Sequence, residues 1–155
     1  MADDEPPFID EHTVFVKASS AAVWRALIRV YGGRGSVRPS GIEVYGYLVG
    51  AEPRRRSGEP LAEGSTLPGF EVAESVPRRL VRFTGRHRFS RYALILALEE
   101  RDGGTVLGAR TYAEFPGPAG WAYRRLVIAS GAHAALMTRQ LSAVRRRAEA
   151  AGPTR

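Results

Sequence analysis

Residues 85–100 read GRHRFSRYALILALEE, and residues 118–151 read PAGWAYRRLVIASGAHAALMTRQLSAVRRRAEAA. The first tract lies across two strands, expected over 79–89 and 91–101. In the second of these, Tyr92, Leu94, Leu96 and Leu98 form one phase, while Ala93, Ile95 and Ala97 blur the alternation. The second tract has helical spacing. Ala119, Tyr123, Leu126, Val127, Ser130, Ala134, Met137, Leu141 and Val144 recur at intervals of mostly three and four. About 30 helical residues would span roughly 45 Å. Gly120 and Gly131 interrupt the tract, and Gly131 is the expected site of a kink or close packing. Antiparallel strands wrapped around one long closing helix leave a cavity between the two layers, so the leading expectation is a small-molecule binding domain.

Working outward, residues 9–17 alternate as a first strand, with Val14 and Val16 on one side and Thr13 and Phe15 on the other. Ala18-Ser19-Ser20 supplies an N-cap for a helix carrying Val23, Trp24, Leu27, Ile28 and Tyr31, which Gly32-Gly33 ends. Residues 41–51 alternate as another strand. Residues 52–63 are polar and proline-bearing, expected as a solvated loop. Residues 69–76 form a strand ended by Pro77. Asp102-Gly103-Gly104 marks a hairpin turn into a last strand over 105–115. Pro116-Gly117-Pro118 stops pairing and opens the final helix. One helix followed by strands alone predicts an α+β layout with an antiparallel sheet of six or seven strands.

The chain has 155 residues, a size that suits one domain and needs no staple. The expected organisation is a disordered N-terminus over 1–8, a domain over 9–150 and a tail over 151–155. With no cysteine, disulfides, thiolate metal sites and cysteine nucleophiles are excluded. The net charge is +7, carried by arginine with Lys17 as the sole lysine. The arginines are scattered, and the runs at 54–56 and 145–147 have no interleaved aromatics, so no nucleic-acid partner is expected. The acidic start MADDEPPFIDEH is not a signal peptide and no stretch has the length of a membrane span, so the expected location is cytoplasmic.

The opening strand and Ser19-Ser20-Ala21-Ala22-Val23-Trp24-Arg25-Ala26-Leu27 resemble the start of the START-like, or SRPBCC, superfamily. So do residues 67–74, residues 85–94, and Phe115-Pro116-Gly117-Pro118 leading into residues 123–128. The resemblance covers about residues 9–150 and looks like the bacterial polyketide cyclase- and dehydrase-like branch. It implies the helix-grip fold of the Bet v 1 allergen. It leaves activity open, because members bind lipids, hormones, polyketides or proteins and only some are enzymes.

His87 falls in phase with Val81, Phe83, Gly85 and Phe89, whereas Arg82, Thr84, Arg86 and Arg88 take the other face. Its reading is a polar anchor or an acid/base group, against a hydrogen-bonded core histidine. The expected ligand-lining set is Phe83, His87, Tyr92, Leu94, Thr111, Tyr123 and Met137, with His87 and Tyr92 the candidate catalytic groups. His133, near the interrupted part of the helix, reads as a ligand contact at a kink or a half-exposed helix histidine. Arg110 and Glu114 read as outward residues able to pair with neighbouring strands. His12, His87 and His133 lie far apart along the chain without metal-ligand spacing, so neither metal nor cofactor is expected. Three functions remain: a carrier of a hydrophobic or aromatic molecule, a metal-free cyclase or dehydratase using His87 and Tyr92, and an Aha1-like protein-interaction module. Ligand identity and oligomeric state stay open.

Overall fold

The computed structural model describes residues 5–32, 50–53 and 55–152. Among the described residues there are six strands: β1 (Phe8–Val16), β2 (Thr66–Leu67), β3 (Phe70–Val76), β4 (Leu80–His87), β5 (Ser90–Arg101) and β6 (Gly104–Glu114). They form one antiparallel sheet in the order β1-β6-β5-β4-β3-β2. Helix α1 (Ser20–Gly32) follows β1, and α2 (Gly117–Arg124), a π-helical turn (Arg125–Ala129) and α3 (Ala132–Ala150) follow β6. The strand expected over 41–51 lies outside the described residues except for Gly50 and Ala51, which are not in a strand.

Local chemistry sets these elements. Ser19 caps α1, its Oγ accepting the Ala22 N–H at 3.2 Å. Period-two alternation sends Val81 and Phe83 of β4, Leu94, Leu96 and Leu98 of β5, and Leu107, Ala109 and Thr111 of β6 to one buried face. Val23, Leu27 and Trp24 of α1 and Met137, Leu141, Val144 and Ala148 of α3 join that face in a single core. The other face carries charges that pair across strands: Arg110 with Glu11 at 2.9 Å, and Arg91 with Glu114 at 3.1 Å. Exposed pairs of this kind contribute about 0–1 kcal/mol each, so the apolar face dominates stability.

Two expectations need correction. The 52–63 segment is not wholly solvated. Leu61 is buried in the core, Glu52 bridges Arg86, and Ser57 bridges Thr66. A lone leucine among polar residues has no period to announce it. The closing segment is not one continuous helix either. The π-helical turn at 125–129 adds a residue to its turn and shifts the phase of everything N-terminal to it. Gly131, at φ 80°, then breaks the ladder in a left-handed conformation that only glycine adopts without cost. Leu126, read as part of the inner stripe, is therefore 69% exposed, and Trp121 is 60% exposed.

Paired substitutions separate the two halves of this segment from the core. Leu141→Ala, at a buried position in α3, should cost about 2–5 kcal/mol. Leu126→Ala should stay within about 0.5 kcal/mol of wild type. Urea unfolding followed by circular dichroism reads both, and a comparable loss at Leu126 would mean that the first half packs like the second.

Candidate functional site

The inner face changes character toward the end of the sheet where β4 turns into β5. Register sets Leu94 opposite Phe83 and Thr111, Tyr92 opposite Gly85 and Ala113, and Ser90 opposite His87. Aliphatic residues give way there to rings in contact. Phe83 meets Phe70 at 5.9 Å between centroids, and Phe70 meets Tyr92 at 5.2 Å. Tyr92 lies 5.5 Å from His87, and His87 lies 4.8 Å from Tyr123 of α2. Tyr123 also stacks on Phe89 at 5.5 Å and sits 6.1 Å from Phe115. The partly buried Tyr31 of α1 adds a ring 5.3 Å from Phe83 and donates its hydroxyl to Gln140 of α3 at 2.8 Å.

Gly85 permits this arrangement. A Cβ there would stand 2.0 Å from the Gly69 carbonyl oxygen and 2.6 Å from the Tyr92 ring. The missing side chain lets that ring lie across β4, where its hydroxyl donates to the Gly69 carbonyl at 2.7 Å. Burial pushes the Tyr92 phenol well up from its ordinary value, so it remains protonated.

The tautomer of His87 follows from its partner. The Phe89 backbone N–H donates to Nδ1 at 3.0 Å, so the ring hydrogen resides on Nε2. Desolvation lowers the His87 pKa from 6.5, and a donor aimed at Nδ1 favours the same neutral form. Among the described residues Nε2 has no hydrogen-bond partner. The site end of the inner face therefore offers ring faces, one N–H donor and the lone pairs of a fixed phenol.

Of the residues expected at the site, Phe83, His87, Tyr92 and Tyr123 join one ring cluster, reached through Phe70. Leu94 lies beside Phe83 in register. Thr111 and Met137 belong to a second grouping. Thr111 Oγ1 is 3.1 Å from His133 Nε2, and the buried Met137 follows His133 by one helical turn. Asp10 of β1 completes that second grouping, with Oδ2 3.1 Å from His12 Nε2 and Oδ1 3.3 Å from His133 Nε2. His12 and His133, distant in sequence, thus share one carboxylate. No group of His, Cys, Asp or Glu among the described residues has the geometry to hold a metal ion. Elsewhere, a cleft between Tyr31 and residues 56–67 encloses about 20 Å³, room for roughly one water.

The sequence reading missed Phe70, Tyr31, Asp10 and His12. Asp10 and His12 had a usable signal. The alternation that sends Val14 and Val16 inward, continued two and four residues back, sends His12 and Asp10 inward as well.

No protein-family model and no curated protein matches the sequence. Solved structures do match. Ara h 8.0201 overlays on 91% of this chain and 97% of its own, with a TM-score of 0.57 at 11% identity. The chain has the Bet v 1-like helix-grip fold. DynU16, a protein of the dynemicin biosynthetic locus, shares the helix-grip fold over 92% of this chain (TM-score 0.53, 15% identity). The di-domain ARO/CYC StfQ from the steffimycin biosynthetic pathway does so over 90% (TM-score 0.53, 13% identity). The chain spans 47% of DynU16 and 50% of StfQ, about half of each. At such identities the likeness concerns the helix-grip fold alone. No helix among the described residues is long and apolar enough to cross a membrane.

Two measurements probe the site. Gly85→Ala should destabilise by about 1–3 kcal/mol, because the new methyl displaces either the Tyr92 ring or the Gly69 carbonyl; full stability would mean that the ring lies elsewhere. His87, neutral in the folded chain, resists a proton that the unfolded chain accepts below about pH 6.5. Its contribution is therefore intact above that pH and is lost as the pH falls through it. The stability lost between pH 7.5 and 5.5 should be smaller in His87→Phe than in wild type. An equal or larger loss in the variant would show His87 charging freely in the fold.

Proposed function

We propose that this domain binds a largely apolar small molecule, aromatic or lipid-like, between the inner sheet face and the terminal helical segment. The observation that carries the reading is His87. It presents a neutral ring whose N–H has no partner among the described residues, within a wall of aromatic side chains. Binding sites orient apolar ligands with a few such polar groups. The ligand atom that His87 selects is a hydrogen-bond acceptor, a carbonyl or phenolic oxygen, since Nε2 can only donate. This narrows the expectation of a polar or anionic group, because a neutral imidazole gives an anion no charge to meet.

Proton transfer by His87 and Tyr92, as a cyclase or dehydratase would need, has less support. Nδ1 is occupied by a backbone donor, and the phenol is tied to Gly69 and pushed away from ionisation. The fold shared with Ara h 8.0201 and StfQ is compatible with either activity, and the orientation of these donors favours binding.

A fluorescence titration with a dansyl-labelled fatty acid and with anthraquinone tests the proposal. Wild type should bind at least one probe saturably. His87→Phe keeps the ring volume and should weaken anthraquinone by about 1–2 kcal/mol, roughly five- to thirtyfold. Equal affinity in both proteins would remove His87 from the site. Binding of neither probe would point to a filled interior and a protein-interaction role.

A further inference from the structure

The histidines that meet the inner face of the sheet lie in two places. One is the His87 end. The other is the corner where β1, β6 and α3 meet, holding Asp10, His12, Thr111 and His133. Three titratable side chains on the core face of a sheet are costly. Hydrophobic residues of similar size are usually at least as stable in such a place, so packing alone gives no reason for them.

The hydrogen bonds within the corner do not close. His133 uses one ring nitrogen, Nε2, toward both Thr111 Oγ1 and Asp10 Oδ1. A ring nitrogen has one in-plane direction, and the Thr111 hydroxyl at 3.1 Å occupies it whichever of the two donates, so Asp10 Oδ1 at 3.3 Å is in contact without a hydrogen bond. A relay of the hydroxyl–imidazole–carboxylate kind needs the two ring nitrogens to serve different partners, so Thr111 is not a nucleophile here. Asp10 Oδ2 is satisfied by His12. Asp10 Oδ1 is buried and accepts no hydrogen bond, although the side chain as a whole keeps 26% of its exposure. A buried, charged acceptor without a donor leaves desolvation uncompensated, and a donor from a ligand would supply what is missing.

We infer that Asp10, held between His12 and His133 beside Thr111, is a second polar anchor of the same site, accepting a hydrogen bond from a hydroxyl at the far end of an elongated ligand. This rests on the proposed ligand-binding function and specifies the class of molecule. Asp10 is the register partner of Thr111, which stands opposite Leu94, which stands opposite Phe83. From there to His87 is four residues along β4. With about 4.8 Å for each of the three strand spacings and about 3.3 Å for each of the four residues, the two backbone positions lie about 20 Å apart. That gap accommodates about 14 Å of rigid framework with a hydrogen bond of about 2.8 Å at each end. The ligand is then long and flat, with a carbonyl acceptor at the His87 pole and a hydroxyl donor at the Asp10 pole.

The test compares 4-acetyl-p-terphenyl, with its carbonyl at one end of the long axis, with the derivative that adds a single hydroxyl at the opposite end. Wild type should bind the hydroxylated probe at least about fivefold tighter, and Asp10→Leu should erase the preference. On wild type alone, the imidazole Cε1–H signals of His12 and His133 should shift with the hydroxylated probe and not with its parent. That readout decides the matter even where the variant fails to fold. Binding without preference, or a preference that survives in Asp10→Leu, overturns this inference and leaves the ligand-binding reading standing. If neither probe binds, the second anchor is overturned, and the ligand-binding reading stands or falls with the fatty-acid and anthraquinone titrations.

Discussion

The structure depends on covering one apolar sheet face with a single helical segment that covers it unevenly. Met137, Leu141, Val144 and Ala148 of α3 are buried against that face and against α1, and this half behaves as ordinary core. The half before Gly131 has only Gly120 fully buried, and Tyr123 carries its ring contacts with the sheet end. The π-helical turn and the left-handed Gly131 separate the halves. Without the break, Leu126 would follow the inner stripe and the phase of residues 117–126 would differ. Among the described residues of the terminal segment, Tyr123 alone brings a ring against the site end, on a lightly packed turn of helix. Such a region opens more readily than a core, which a domain admitting an apolar guest requires.

Polar groups on the inner face carry the chemistry, and each departs from the local rule for its element. Gly85 weakens a strand and makes room for the Tyr92 ring. His87 gives up one nitrogen to the turn that follows it and keeps the other as a donor. Asp10 brings a carboxylate to the largely apolar inner face, with one oxygen buried and accepting no hydrogen bond. Local inconsistencies of this sort concentrate where a fold meets its function.

Much of this was legible in the sequence, and the reasons for the rest are specific. Strands β1, β3, β4, β5 and β6 and helix α1 follow from alternation, helical spacing and turn residues, with ends shifted by one or two positions. The inward phase of Phe83, His87 and Tyr92 followed from period two. Leu61 and the two-residue β2 were not legible, because a short strand and a lone buried leucine carry no period. The π-helical turn was not legible either, since one added residue alters phase without altering composition. The Asp10–His12–His133 grouping needed a contact across more than a hundred residues, which spacing cannot supply.

The central claim is that the aromatic end of the inner face receives a ligand. Aromatic proton–carbon NMR of the wild-type protein during titration with anthraquinone tests it most directly. The account predicts saturable movement of the His87, Tyr92 and Tyr123 signals, while Trp24 in the core stays in place. Unchanged signals at those three rings, with movement confined to the exposed Trp121, would contradict it.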